Sequence, residues 1–333
     1  MTINTRHHVN KAPLVWVVDS AYTGELHARI GVAERLGYGY DVIPLPNGDD
    51  IKYQQMLKEK YRRISNGDRP PLLIISGTGE ETTAQIADLR QVFDTRLVNL
   101  YLASILPETT HPRLDEYDLI ASPQLTGDKV VTLVGVPHQM TDDKLAHARH
   151  QHETYFSALP KPIIGLLVGG NTRYCDGFNA QHASRLALRV ASVAAELNAA
   201  IVTTNSRRTP PDALAALLEN LSDQNCHFFD WQEAEPTLYP ALLAHADLFI
   251  VTGDSLSMCA EAAFTGKPVL VDLCQRATES YHRDIVGRLI DYGAAKVLGH
   301  QYEPWTYAPP DPTDQVVRKI REKFEELSKS KVA

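Results

Sequence analysis

The sequence predicts an α/β protein of two doubly wound domains, each a parallel sheet with helices on both faces, on three observations. Its 333 residues exceed the size at which one hydrophobic core stops growing. Short apolar, β-rich runs alternate with amphipathic stretches at similar spacing in both halves, the mark of repeated βα units. Most of these runs are continuously apolar rather than alternating, as strands covered on both faces must be.

In the first half the predicted strands are Leu14–Val18, Tyr40–Leu45, Leu72–Ile75, Leu97–Leu102, Tyr117–Ala121 and Val130–Val134. In the second they are Pro162–Val168, Ala200–Thr204, Cys226–Phe229, Leu248–Val251, Pro268–Val271 and Ala295–Leu298. The helices between them carry the 3.6-residue period: Leu26, Ile30 and Ala33 share one face, as do Leu186, Val190, Val193 and Leu197. A polar stretch from Thr141 to Ser157 runs into the breaker Leu159-Pro160-Lys161-Pro162. It sets an N-terminal domain at residues 1–158 and a C-terminal domain at 159–312. Residues 313–333 follow a proline-rich entry and present Val317, Ile320, Phe324 and Leu327 at helical spacing, a docking helix placed to return to the first domain.

Hydrophobic residues at 44% and charged residues at 22% describe an ordinary globular chain without a disordered tail. A formal charge of −8 repels nucleic acid and anionic lipid, which favours small-molecule chemistry. The polar start MTINTRHHVNKAP lacks a secretory apolar stretch, and no run is long enough to span a bilayer. The expected location is the cytoplasm, with room for a peripheral contact at the inner membrane. Cys175, Cys226, Cys259 and Cys274 occur singly, so they read as reduced, mostly buried thiols rather than zinc ligands or a disulfide framework.

Open α/β sheets bind ligands at the carboxyl ends of their strands, so the strand-to-helix turns carry the functional signal. In the second half the first such turn is Val168-Gly169-Gly170-Asn171-Thr172-Arg173, where glycines bring backbone N–H groups close to an anion. It is neither a P-loop nor a full G-x-G-x-x-G, and a plain tight turn is the competing account. The second, Thr204-Asn205-Ser206-Arg207-Arg208-Thr209-Pro210, delivers hydroxyls and two arginines whose forks suit phosphate, or else a solvated arginine pair with Thr209 as a cap. The third, Thr252-Gly253-Asp254-Ser255-Leu256-Ser257-Met258, starts a helix, and a helix start is an anion site, although Ser255 also suits an ordinary cap. Glu261, two turns into that helix, suits sugar or ribose hydroxyls better than phosphate. A charge-assisted contact contributes about 1.5–3 kcal/mol net, and micromolar affinity needs about 8, so several turns must converge on one ligand.

These three segments, the last continued to Lys267-Pro268, resemble the mitochondrial fission ELM1-like proteins, whose bacterial members are described as candidate glycosyltransferases. The likeness is specific in the second half and looser elsewhere, reaching Gly77 and Pro137-His138-Gln139-Met140-Thr141. It implies a GT-B arrangement of two facing Rossmann-like domains, with the nucleotide-sugar held mainly by the C-terminal one and the acceptor by the N-terminal one. It also implies that Glu261 contacts the ribose. In the family the first turn carries Asp-Gly, then Gly-His and a nearby Gln; here it reads Asp19-Ser20-Ala21-Tyr22-Thr23-Gly24-Glu25-Leu26-His27, keeping Gly24 alone. A base is still needed to deprotonate an acceptor hydroxyl, and Glu25, His27 and Asp19 are the candidates, with His27 equally readable as an exposed or capping side chain. On the acceptor side stand Gly77 and Thr78, in a turn whose Glu80 and Glu81 can simply favour a helix start, and His138.

Three classes of function follow. The first is a glycosyltransferase moving a sugar from a nucleotide-diphosphate donor to a hydroxyl of a glycan or lipid-linked acceptor. It needs no tightly bound cofactor or metal, since no D-x-D motif or ligand cluster stands out. The second is a nucleotide-sugar epimerase on the same scaffold, and the third a non-catalytic nucleotide-binding scaffold. Donor base, sugar and oligomeric state are left open.

Overall fold

The computed structural model describes residues 15–20, 22–44, 71–77, 83–88, 97–104, 113–299 and 302–329, with isolated positions 52, 55, 56 and 59. It divides into two compact units, one of residues 1–139 and 312–333, the other of residues 140–311.

The first unit is built on six parallel strands: β1 (Val15–Val18), β2 (Tyr40–Ile43), β3 (Leu73–Ser76), β4 (Val98–Leu102), β5 (Leu119–Ser122) and β6 (Val130–Thr132). Their order is β2-β1-β3-β4-β5-β6, with the winding reversal between β1 and β3. The second unit has β7 (Ile163–Leu167), β8 (Ala200–Thr204), β9 (Cys226–Phe229), β10 (Leu248–Thr252), β11 (Val269–Asp272) and β12 (Ala295–Val297). Its order, β12-β11-β10-β7-β8-β9, is all parallel and is the Rossmann order read from the other edge, with the reversal between β7 and β10.

All twelve predicted strands are present, and burial explains their legibility. The central strands are buried at every residue, because helices cover both faces of each sheet. The edge strands β2, β6, β9 and β12 are half exposed, since an edge lacks one neighbour. The predicted stripes also pack as cores. Ala33 is buried in the first unit with Leu26 and Ile30 against it, and Leu186, Val190 and Val193 are buried in the second.

One boundary and the burial of the cysteines differ from the sequence reading. The helix α2 (Asp142–Ser157), assigned above to residues 1–158, belongs to the second unit. There it packs on a helix at Leu238–His245: Phe156 stacks on His245 at 4.5 Å, and His152 Nε2 lies 2.9 Å from the Thr237 hydroxyl. Its buried face is only Ala148 and Phe156, too sparse a stripe to show its allegiance in the sequence. Of the cysteines, Cys259 alone is buried; Cys175, Cys226 and Cys274 are half-buried, because each sits on a loop or an edge strand.

The last helix, Pro312–Lys329, is part of the first unit. Val316, Val317 and Ile320 are buried in that core, with Phe324 and Leu327 packed against it. Thr313 fixes its start: the hydroxyl accepts from the His138 N–H and donates to the His138 carbonyl, both at 2.9 Å. Replacing Ile320 by Ala is expected to lower stability by about 2–5 kcal/mol in chemical denaturation, against less than about 0.5 for Lys319→Ala on the exposed face.

Candidate functional site

In the second unit the three turns singled out above leave β7, β8 and β10, so two of them flank the winding reversal. They are braced to one another through the Asp254 carboxylate, which is almost completely buried. Asp254 Oδ2 accepts the Gly170 N–H at 2.8 Å and meets an Arg208 guanidinium nitrogen at the same distance. Arg208 also donates to the carbonyls of Asp254 and Asn171, both at 3.2 Å, and its own carbonyl accepts the Asn171 N–H at 3.0 Å. Gly169 donates to the Thr252 hydroxyl at 2.7 Å, and its carbonyl accepts the hydroxyls of Ser206 (2.6 Å) and Thr209.

The glycines serve this packing. A Cβ on Gly169 would overlap the Asp254 carboxylate, and one on Gly170, whose φ is +147°, would overlap the Arg208 carbonyl. The sequence reading offered the N–H groups of Gly169 and Gly170, and the Arg208 fork, to a ligand. In the structure both N–H groups are spent within the protein, and Asp254 already fills the anion-binding part of the fork. Ser206 donates to Gly169, so its hydroxyl also belongs to the brace, while the buried Thr204 hydroxyl donates to the Asn205 carbonyl at 3.4 Å. Asn171 Oδ1 accepts the Phe178 N–H and shapes the following loop. Burial pushes the Asp254 carboxyl above its usual value, against the pull of Arg208, the Thr252 hydroxyl and the Gly170 N–H.

What stays unspent is the start of the helix Leu256–Phe264. Ser255 N–H bonds the Thr252 carbonyl and Cys259 N–H bonds the Ser255 carbonyl, but the Ser255 side chain makes no cap bond. The N–H groups of Leu256, Ser257 and Met258 therefore lie at the helix end without a partner among the described residues. Arg207 is exposed and makes no hydrogen bond or ion pair among the described residues, and Arg208 keeps part of its guanidinium at the surface. Arg173 is exposed beside Tyr174, its guanidinium 5.5 Å from the ring centre.

Glu261 lies on the same helix as these N–H groups and is half-buried. Burial pushes its carboxyl up to about 7, with the Tyr239 hydroxyl, donating to Oε2 at 2.6 Å, pulling the other way. Two further residues join the site that the sequence did not single out. Tyr239 lies nine positions before the start of β10 and carries no motif around it. His282 is buried, its Nδ1 has no partner, and burial together with the Arg208 charge holds it down at about 4, so it is neutral at pH 7.

At the reversal in the first unit a second buried arginine governs the turn. Arg29 donates to the carbonyls of Val18 (2.7 Å) and Asp19 (2.8 Å) and to Glu25 Oε2 (3.2 Å), which also accepts from Ser20 at 3.0 Å. This corrects Glu25 as a free base: its carboxylate holds Arg29 and Ser20 in place. Asp19 Oδ1 accepts the Ser20 N–H, while Gly24 and His27 are exposed near the start of α1 (Thr23–Leu36). Gly77 is explained by packing, since a Cβ there would meet the Leu102 carbonyl and the Arg29 guanidinium. His138 is buried at 1% exposure, its backbone tied to Thr313, so it cannot reach a substrate in this structure. Thr78 lies outside the described residues. Among those residues no group of three or more His, Cys, Asp or Glu is placed to hold a metal ion, and no helix is long and apolar enough to cross a membrane.

Two Rossmann-like parallel-sheet units, with the unspent helix start at the carboxyl end of the second, define an α/β protein of the GT-B-like class. The solved UDP-GlcNAc 2-epimerase of Methanocaldococcus jannaschii matches with a TM-score of 0.57 at 12% identity, over 92% of this chain and 99% of that one. Acinetobacter baumannii MurG matches with a TM-score of 0.51 at 13% identity, over 95% and 92%. The family model for mitochondrial fission ELM1 matches residues 23–324, and the chain belongs to that family. The mitochondrial fission protein ELM1 of Arabidopsis thaliana is 25% identical over 335 aligned positions, covering 89% of this chain and 75% of the relative.

Asp254→Ala is expected to cost about 3 kcal/mol of stability by leaving Arg208 and the Gly170 N–H unpaired, whereas Arg207→Ala should change it by less than about 0.5, both by urea denaturation. For Glu261 the folded value near 7 exceeds the ordinary 4.5 of the unfolded chain, so the folded state holds the proton more tightly and stability falls as pH rises from about 4.5 to 7. Glu261→Gln should therefore raise the melting temperature more at pH 8 than at pH 5. An equal rise at both would show that the carboxyl is not held in its neutral form.

Proposed function

We propose that this protein binds a nucleotide-diphosphate sugar at the carboxyl end of its second sheet and transfers the sugar to a hydroxyl acceptor in the cytoplasm. The observation that carries the reading is the set of unpartnered N–H groups at Leu256, Ser257 and Met258, at the winding reversal of a Rossmann-ordered sheet. A diphosphate supplies the anion that such a helix start lacks. Arg207 and the exposed part of Arg208 stand on the neighbouring turn, where they offset charge on the departing diphosphate. Glu261 faces ribose hydroxyls rather than phosphate, as a carboxylate must. Fold likeness to proteins named for UDP-GlcNAc chemistry supports the ligand class.

Transfer requires that the acceptor hydroxyl lose its proton as it attacks the anomeric carbon and that the nucleotide diphosphate leave with the bonding pair. Glu25 is engaged by Arg29, so Asp19 and His27 remain of the candidate bases in the first domain. The charge balance of this scheme rests on the helix start and the arginines and calls for no resident cofactor.

Differential scanning fluorimetry with ribonucleoside diphosphates and their sugars tests the binding half. A ligand at about 100 times Kd stabilises the fold by about 2.7 kcal/mol, and no shift with any of them would overturn the proposal. Arg207→Ala should weaken nucleotide binding about tenfold with the melting temperature of the free protein unchanged. Product analysis by NMR decides the chemistry. Free nucleoside diphosphate with a new glycoside supports transfer, an isomerised nucleotide-sugar would identify an epimerase, and binding without turnover would identify a scaffold.

A further inference from the structure

The contact between Tyr239 and Glu261 goes beyond what the turns and the helix start require. It links the helix Leu238–His245, before β10, to the helix Leu256–Phe264, after it. The phenol donates to one oxygen only, Oε2, at 2.6 Å. Glu261 Oε1 has no hydrogen-bond partner among the described residues, and the residue is neither fully buried nor fully exposed. Ser257, at the free helix start, and Glu261 are four residues apart, so they lie on one helical face about 6 Å apart along the axis. That is the interval between the phosphate of a nucleotide and the hydroxyls of its ribose.

We propose that Tyr239 is a positioning residue that fixes the Glu261 carboxylate in one rotamer, with Oε1 turned to accept from a ribose hydroxyl, and so makes the site select ribonucleotides over deoxyribonucleotides. The proposal rests on the nucleotide-binding reading above. A glutamate side chain has three rotatable bonds, and without an anchor it would lose rotamer freedom on meeting each ligand. The Tyr239 bond removes part of that cost beforehand by holding one carboxylate oxygen in place. The Tyr239 hydroxyl pulls the carboxyl down against burial, which still leaves it at about 7. Hydroxyl recognition of this kind discriminates strongly, because a ligand lacking the hydroxyl leaves a desolvated carboxylate oxygen unpaired.

The test is isothermal titration of the full chain with the four common ribonucleoside diphosphates and their 2′-deoxy and 3′-deoxy counterparts. The wild-type protein should prefer the ribo form of its nucleotide about tenfold or more over at least one deoxy form. In Tyr239→Phe that preference should fall to about twofold or less, while affinity for the deoxy form, which reports the diphosphate contacts, stays within about twofold. Adding Tyr239→Phe to Glu261→Gln should then change the preference little, because Tyr239 acts only through Glu261. This double variant leaves no buried carboxylate unpaired, so it carries the comparison with Glu261→Gln if the single Tyr239→Phe variant does not fold. An undiminished preference in Tyr239→Phe, or additive effects in the double variant, would overturn the positioning role with nucleotide binding intact. Wild-type protein that binds nucleotides without any ribose preference would also overturn it, and failure to bind any nucleotide would remove the parent reading together with this one.

Discussion

The second domain depends on one buried ion pair. Asp254 and Arg208 join the ends of β7, β8 and β10 across the point where the sheet reverses its winding, and neighbouring backbone groups are satisfied through them. Strand ends at a reversal diverge, and the crevice between them would expose N–H and carbonyl groups to a site from which a ligand must exclude water. A carboxylate fixed inside the protein occupies part of that crevice permanently. A buried pair gives little net stability over an apolar replacement, but losing one partner is costly, so it holds three loops in a single arrangement.

The first domain uses the same device with other residues. Arg29, fully buried, takes the carbonyls at the end of β1 and the carboxylate of Glu25, again at a winding reversal. Burial lowers the pKa of its guanidinium, yet an arginine keeps its charge, so the surrounding carbonyls and carboxylate must stay in place. Each reversal is thus closed from within by an arginine, and the polar groups that the arginine does not use form the remainder. In the second domain that remainder is a helix start and one oxygen of Glu261. In the first it is Asp19 and the exposed beginning of α1.

The fold was legible because the residues that define it report burial directly. A strand such as Val15–Val18, or the stretch Leu248–Val251 of β10, is apolar at every position because both of its faces are covered, and its short length between turn residues favours a strand over a buried helix. The site was legible by place but not by role. Gly169, Gly170, Ser206 and Arg208 stand in the turns where the sequence put them, yet they bind one another. A glycine that admits a ligand and a glycine that admits an aspartate look alike in sequence, and so do an arginine that meets phosphate and one that meets Asp254. Helix α2 hid its domain for a related reason, since two buried residues in sixteen make no stripe.

The sequence by itself determined the class of the protein, its two rounds of β and α, and the turns where the strands end, because hydrophobic period and glycine placement are local properties written residue by residue. The tertiary structure alone decided how the polar groups of those turns are partnered. Asp254 and Gly170 are 84 positions apart, Tyr239 and Glu261 22, and Arg29 meets the end of β1 10 and 11 positions upstream. A hydrogen bond is settled by distance and direction in space, so which donors are already spent, and which are left for a ligand, appears only once the chain has folded.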